Sequence, residues 1–284
     1  MRQEPPVESP ATLDEAYGLL AATRHRPIAG GTDIMVQLTS GTEHPERMLD
    51  LWKLDALRGI TAEPDLTAIT LGALSTYAEI RRSPVCREHL PALGEASATI
   101  GAAQIQNRGT LGGNVVNASP AGDTLPILLA TDAEIILGSA RGERAVRAGD
   151  FWLAYRKTAL EPDELVLRVR IPLPRGRILR FRKVGTRRAQ AISKVVMALA
   201  WREDGGVWRD VRLGLGSIAD RPVRARETER VLEGAAPRRT TADHAAATVA
   251  AEVHPIDDVR STASYRRAVT ARVLHRLLRE AGGW

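Results

Sequence analysis

Two segments of the chain set paired glycines beside a hydroxyl-bearing residue. One runs Ile28-Ala29-Gly30-Gly31-Thr32-Asp33-Ile34; the other, about eighty residues later, runs Thr110-Leu111-Gly112-Gly113-Asn114. Paired glycines let backbone N–H groups close on a ligand, because no Cβ stands in the way and positive φ is allowed. Successive N–H groups in such a turn form an anion-binding nest, and a threonine hydroxyl adds a further donor. One such segment is an ordinary turn. Two in one chain imply a ligand with two neighbouring phosphates, held between two lobes. A helix behind the first segment would add a favourable field for a phosphate. Asp33 repels an anion, so its expected part is structural, as a helix cap or an acceptor for a loop N–H.

Other chemistries lack their residues. His25, His44, His89, His244, His254 and His275 are scattered without metal-ligand spacing, which gives no support for zinc. There is no GxSxG, no Cys–His pair and no GxGxxG, so neither a hydrolase nor a Rossmann site is expected. Cys86 is the single cysteine, which excludes an internal disulfide and any cysteine-ligated iron–sulfur cluster built from this chain alone. Lys and Arg total 40 against 34 Asp and Glu, a formal charge of +6. The acidic residues are interspersed, aromatics make up 4% of the chain, and no nucleic-acid signature occurs. The positive balance therefore suits an anionic cofactor, co-substrate or acidic partner subunit. No apolar run is long enough for a spanning helix and no secretory signal is evident, so a cytoplasmic location is the expectation.

The elements around these segments read as α+β. Thr12 and Glu15 form a capping box before a helix with Ala16, Leu19 and Leu20 on one face. A short strand leads into Ala29, a helix covers Thr32 to Thr39, and a strand covers Arg47 to Leu51, closing a first lobe near Leu57. A second lobe holds a strand over Leu66 to Leu71, a helix capped by Ser75 or Thr76, and a helix over Pro91 to Ile100. The second glycine segment then reads as a loop. It is followed by a short helix (Thr124 to Ala130), a hairpin about Gly138 to Gly142, and a strand from Leu165 to Ile171. In the third region, strands cover Arg180 to Val184, Lys194 to Trp201 and Val211 to Ile218, with Gly205-Gly206 as a hairpin turn. Helices cover Arg224 to Glu233 and Thr241 to Val253. A final helix (Ser261 to Ala281) places Tyr265, Val269, Val273, Leu274, Leu277 and Leu278 on one face.

The two segments resemble the AGG-[TNHQ]-[DES] and [TS]-[LIV]-GG-N loops of the FAD-binding medium subunit of the molybdenum hydroxylases, the xanthine dehydrogenase and carbon monoxide dehydrogenase family. The second continues into the family's N-x-x-x-A-S-P-x-x-D pattern as Asn114, Ala118, Ser119, Pro120 and Asp123. The resemblance extends through Phe151 to Val166, Lys183 to Lys194 and the C-terminal helix, in order along nearly the whole chain.

The resemblance implies a two-lobed FAD-binding domain of the PCMH, or vanillyl-alcohol-oxidase-like, type at residues 1–176, with lobes 1–57 and 58–176. A C-terminal α+β domain of the carbon monoxide dehydrogenase flavoprotein type follows at 177–284. It implies that both glycine segments hold the FAD pyrophosphate and that Asp123 accepts from ribose hydroxyls. Ile100 would touch the cofactor, Val166 would offer a backbone contact, and Lys183 would lie by the flavin, where a cation stabilises an anionic ring. No catalytic side chain and no metal ligand is assigned to this chain. The implied partners are a large molybdopterin-binding subunit and a small subunit with two [2Fe–2S] clusters, in a dimer of heterotrimers. Arg187 and Arg188 match a mobile loop near the isoalloxazine; where the carbon monoxide dehydrogenase branch has a tyrosine, this chain has Ala189, Gln190 and Ala191, which favours purine or aldehyde branches. Two other readings stay open: a stand-alone flavin oxidase or reductase of the same fold, and a non-catalytic phosphate- or nucleic-acid-binding protein.

Overall fold

The computed structural model describes residues 5–187 and 190–284; Arg188 and Ala189 of the basic loop lie outside them. In the first lobe, strands β1 (Val7–Glu8), β2 (Arg26–Ile28) and β3 (Met48–Asp50) form a parallel sheet in the order β1-β3-β2. Helices α1 (Leu13–Ala22) and α2 (Ile34–Ser40) connect them. Thr12 caps α1 by accepting from the Glu15 N–H, but Glu15 reaches back to the Ala11 N–H, one residue before the expected capping-box partner. The lobe is too small to close a core alone. Ala16, Leu20, Leu49, Leu51, Leu54 and Leu57 are completed by Leu74, Leu165 and Leu167 from the second lobe.

The second lobe is built on an antiparallel sheet of β4 (Ile60–Ala62), β5 (Ala68–Gly72), β6 (Glu134–Ser139), β7 (Gly142–Arg147) and a later strand, Leu165–Pro172. A small hairpin, β8 (Trp152–Ala154) and β9 (Lys157–Thr158), precedes that strand, which is therefore β10; the sheet order is β4-β5-β10-β6-β7. Strand β4 has no counterpart in the sequence reading. Leu66, expected to open β5, instead has φ 57° in the turn between the two strands. Between β5 and β6 run α3 (Tyr77–Arg82), α4 (Pro84–His89), α5 (Pro91–Thr99), α6 (Ala103–Arg108), α7 (Leu111–Asn117) and α8 (Leu125–Ala130). A single turn, α9 (Ala148–Phe151), follows β7. Thr76 makes a complete capping box with Glu79 at the start of α3.

The third region carries an antiparallel sheet in the order β11 (Ile178–Val184), β12 (Val195–Asp204), β13 (Val207–Gly216), β14 (Val223–Arg224). Alternate residues of β12 enter two different cores. Val196, Ala198 and Ala200 join the core of the second lobe, whereas Val195, Met197, Leu199 and Trp201 join that of α10 (Arg226–Leu232), α11 (Arg239–Glu252) and α12 (Ala263–Gly282). The sheet is covered on both faces, which explains the unbroken apolar run of β12. Gly214 lets α8 approach: a Cβ there would overlap the Pro126 carbonyl. On α12 the buried face contains Arg266, Thr270, Leu274, Leu277 and Leu278, while Tyr265 is 43% exposed. The expected stripe is thus displaced by one position at its N-terminal end, because Arg266 is drawn inward to Asp258 and to the Ser217 carbonyl.

Candidate functional site

The first glycine segment leaves β2 and turns sharply into α2. Gly31 sits at φ 76°, a conformation open to glycine at little cost. Among the described residues, the backbone N–H groups of Gly30, Gly31, Thr32 and Asp33 have no hydrogen-bond acceptor. They form a run of adjacent donors, the local requirement for an anion nest. Ile28 and Ala29 are half-buried at the strand end and Ile34 is buried, anchoring the turn from both sides. Asp33 stands at the N-cap position without capping; its carboxylate accepts instead from Gln37 one turn later.

The second segment is not a loop. Thr110 is the N-cap of α7, its hydroxyl accepting from the Gly113 N–H at 3.1 Å, so both glycines lie in the first helical turn. The Leu111 N–H donates to the Ser75 carbonyl at 2.9 Å and the Gly112 N–H to the Ala73 carbonyl at 2.8 Å. Gly112 is buried, and a Cβ on it would come 2.7 Å from the Ala73 Cβ and 2.8 Å from the Ala73 carbonyl oxygen. The expectation that both glycines offer free N–H groups therefore does not hold. Gly112 is there so that a helix can sit flat on the segment after β5. Gly113 is exposed, and a Cβ on it would meet only the Thr110 hydroxyl, at 2.9 Å. Asn114 accepts from the Thr124 hydroxyl at 2.6 Å and ties α7 to α8.

The two segments meet at Arg108 and Gly109. A Cβ on Gly30 would overlap the Arg108 carbonyl, so the first turn lies directly on the backbone that leads into Thr110. The Arg108 guanidinium in turn covers the Trp52 ring of the first lobe at 3.8 Å from its centroid, a cation–π contact across the same seam. Neither Arg108's carbonyl nor Trp52 carries a motif, and their part shows only once the lobes are brought together.

On the far side, Asp123 and Lys183 form an ion pair at 2.6 Å with side chains 8% and 6% exposed. Lys183 also donates to the Thr99 carbonyl at 3.2 Å, and the Ser193 hydroxyl donates to Asp123. Burial pushes the Asp123 carboxyl above its usual range, against the pull of Lys183 and its hydroxyl donors. Each Asp123 oxygen already takes a protein donor, so a ribose hydroxyl would share the carboxylate. Ile100 ends α5 half-buried against the main core, and its carbonyl accepts from Gln106 at 3.0 Å. Val166 is 5% exposed in β10, its side chain in the core, at a register shift in the pairing with β6. Arg187 donates to the Gln190 carbonyl across the basic loop.

Turned donors on one lobe, an exposed glycine beside a capping threonine on the other, and a glycine contact holding the two together fit a phosphate-linked dinucleotide spanning the seam. The fold is that of a two-lobed, non-Rossmann protein with a third sheet packed on the second lobe. Residues 3–174 match the family described as the FAD binding domain in molybdopterin dehydrogenase, and residues 180–281 match the CO dehydrogenase flavoprotein C-terminal domain. The chain is 33% identical to the glyceraldehyde dehydrogenase medium chain of Sulfolobus acidocaldarius, over 91% of each chain. It is 30% identical to the xanthine dehydrogenase FAD-binding subunit of Escherichia coli O157:H7, over 96% of each. The solved carbon monoxide dehydrogenase of Hydrogenophaga pseudoflava superposes with a TM-score of 0.92 at 27% identity, covering 97% of this chain and 96% of that one. The chain belongs to the FAD-binding medium subunits of the molybdenum hydroxylases, the xanthine and carbon monoxide dehydrogenase family, and is an oxidoreductase subunit whose cofactor is FAD. Among the described residues no group of side chains could hold a metal ion, and no helix is long and apolar enough to cross a membrane.

Proposed function

We propose that this chain is the electron-transfer subunit of a cytoplasmic molybdenum hydroxylase assembled as a dimer of heterotrimers. In this reading a small partner subunit carries two [2Fe–2S] clusters. A large partner binds molybdopterin and hydroxylates a purine, an aldehyde or a related heterocycle. NAD, oxygen or a quinone takes the electrons at the flavin. FAD lies between the lobes at 1–57 and 58–176, and residues 177–284 close over it. The observation that carries this is the contact of Gly30 with the Arg108 carbonyl, which sets the unsatisfied N–H groups of Gly30 to Asp33 against the backbone that leads into Thr110.

Bound flavin supplies a two-electron carrier; the chain's own residues hold it in place. Ile28, Ala29 and Ile34 fix the first turn, and Gly30, Gly31, Thr32 and Asp33 present their N–H groups to the pyrophosphate. Thr110, Gly113 and Asn114 face it from the second lobe, with Leu111 and Gly112 keeping that helix in register. Ile100 touches the flavin side, Val166 offers its backbone there, and Lys183, paired with Asp123, sets a cation beside it. Purified alone, the chain is expected to carry one FAD, all of which leaves with the supernatant on acid precipitation, since no His or Cys stands in either glycine segment. A colourless chain that takes up no FAD contradicts the reading. A yellow pellet contradicts its non-covalent form.

A further inference from the structure

Tyr77 lies where the two glycine segments converge, and no motif points to it. It is the first residue of α3, and its N–H donates to the Gly109 carbonyl at 3.2 Å. The preceding residue, Thr76, bridges to Thr110. The ring packs on Gly109, where a Cβ would come 2.8 Å from Tyr77 Cε2. The residue is 4% exposed, and its hydroxyl, which makes no hydrogen bond to another described residue, keeps a small solvent access. A phenylalanine would fill the same space and lose only this hydroxyl, a donor open to a ligand at the seam.

Two carboxylates act electrostatically on this hydroxyl, Asp33 of the first segment and Asp123, which follows the second. Burial is the largest influence, followed by Asp123 and Asp33, and together they push the phenol well above its ordinary range. It is therefore a donor throughout the physiological pH range. Neither carboxylate serves as its acceptor: Asp33 takes Gln37, and Asp123 takes Lys183 and Ser193. Packed on Gly109, next to the Arg108 carbonyl that Gly30 touches, Tyr77 thus brings to the seam a hydroxyl with no acceptor in the fold.

We infer that the Tyr77 hydroxyl donates to a pyrophosphate oxygen of the bound dinucleotide, as a binding residue of the second lobe beyond the two glycine segments. The inference rests on the flavin reading above. It also gives the second segment a donor that its engaged Leu111 and Gly112 N–H groups do not supply.

The test titrates flavin-free wild type and Tyr77→Phe with FAD and with ADP by calorimetry, and follows thermal unfolding of both proteins without ligand. A hydrogen bond to a charged group is worth enough that affinity for both ligands should fall about tenfold or more in the variant. The ligand-free variant should unfold at the wild-type temperature or above it. Equal affinities in the two proteins overturn the inference and leave the flavin reading standing. A lowered unfolding temperature in the ligand-free variant also overturns it, because the hydroxyl then has a partner inside the fold. Failure of the wild type to bind FAD overturns the flavin reading, and this inference with it.

Discussion

The two Gly-Gly pairs look alike in sequence and do different work. Gly30-Gly31 is a true turn: one glycine lies on the Arg108 carbonyl, the other takes positive φ, and the N–H groups from Gly30 to Asp33 are left without acceptors. Gly112-Gly113 is the first turn of a helix, with one glycine buried against Ala73 and the other exposed beside Thr110. The first pair offers donors, whereas the second mainly offers thinness. A dinucleotide site of this kind needs both, since one lobe must bind the phosphates and the other must come close enough to cover them.

Substitutions separate these roles. Gly112→Val drives two methyl groups into the Ala73 backbone, and overpacking at a site with no flexible neighbour costs about 3 kcal/mol or more. The flavin-free protein should therefore melt at a clearly lower temperature or fail to fold; an unchanged melting curve would place Gly112 at the ligand rather than in the packing. Gly30→Ala pushes the Arg108 carbonyl away, with an expected loss of about 1–3 kcal/mol and a marked fall in FAD affinity, since the lobes must part. Melting and FAD titration of one preparation read both effects. The smallest structural effect is expected for Gly113→Ala. Its Cβ would come 2.9 Å from the capping Thr110 hydroxyl, which must shift; a weakened cap costs about 1 kcal/mol, offset by alanine's gain of up to about 1 kcal/mol over glycine in a helix. Unfolding should be nearly unchanged, while FAD binding weakens. A variant that binds FAD as the wild type does would remove Gly113 from the site.

Much of the frame was legible because its signals are local. The capping residues Thr12 and Thr76, the Gly205-Gly206 hairpin and the order of strands and helices all depend on neighbours in the chain. The site was legible as motifs, but not in its division of labour. Whether a glycine N–H is free depends on partners such as Ala73 and Ser75, which lie far from it in sequence. The Asp123–Lys183 pair joins residues 60 positions apart. Only the docking of the third sheet on α8 reveals it. Strand β12 shows the same limit: a continuous apolar run states that the strand is buried, and the tertiary fold decides which core receives each face. Tyr77 carries no motif, and a tyrosine at a helix start reads as core until its hydroxyl is seen to lack a partner in the fold.

Amide proton shifts during an FAD titration test the account most directly. The amides of Gly30, Gly31, Thr32 and Asp33, which have no acceptor in the fold, should move downfield together as they bond to phosphate oxygen. The Gly112 amide, already bonded to the Ala73 carbonyl at 2.8 Å, should stay near its starting position. Large downfield movement of Gly112 with Gly30 to Asp33 unmoved would contradict the assignment of donors to the first lobe and packing to the second.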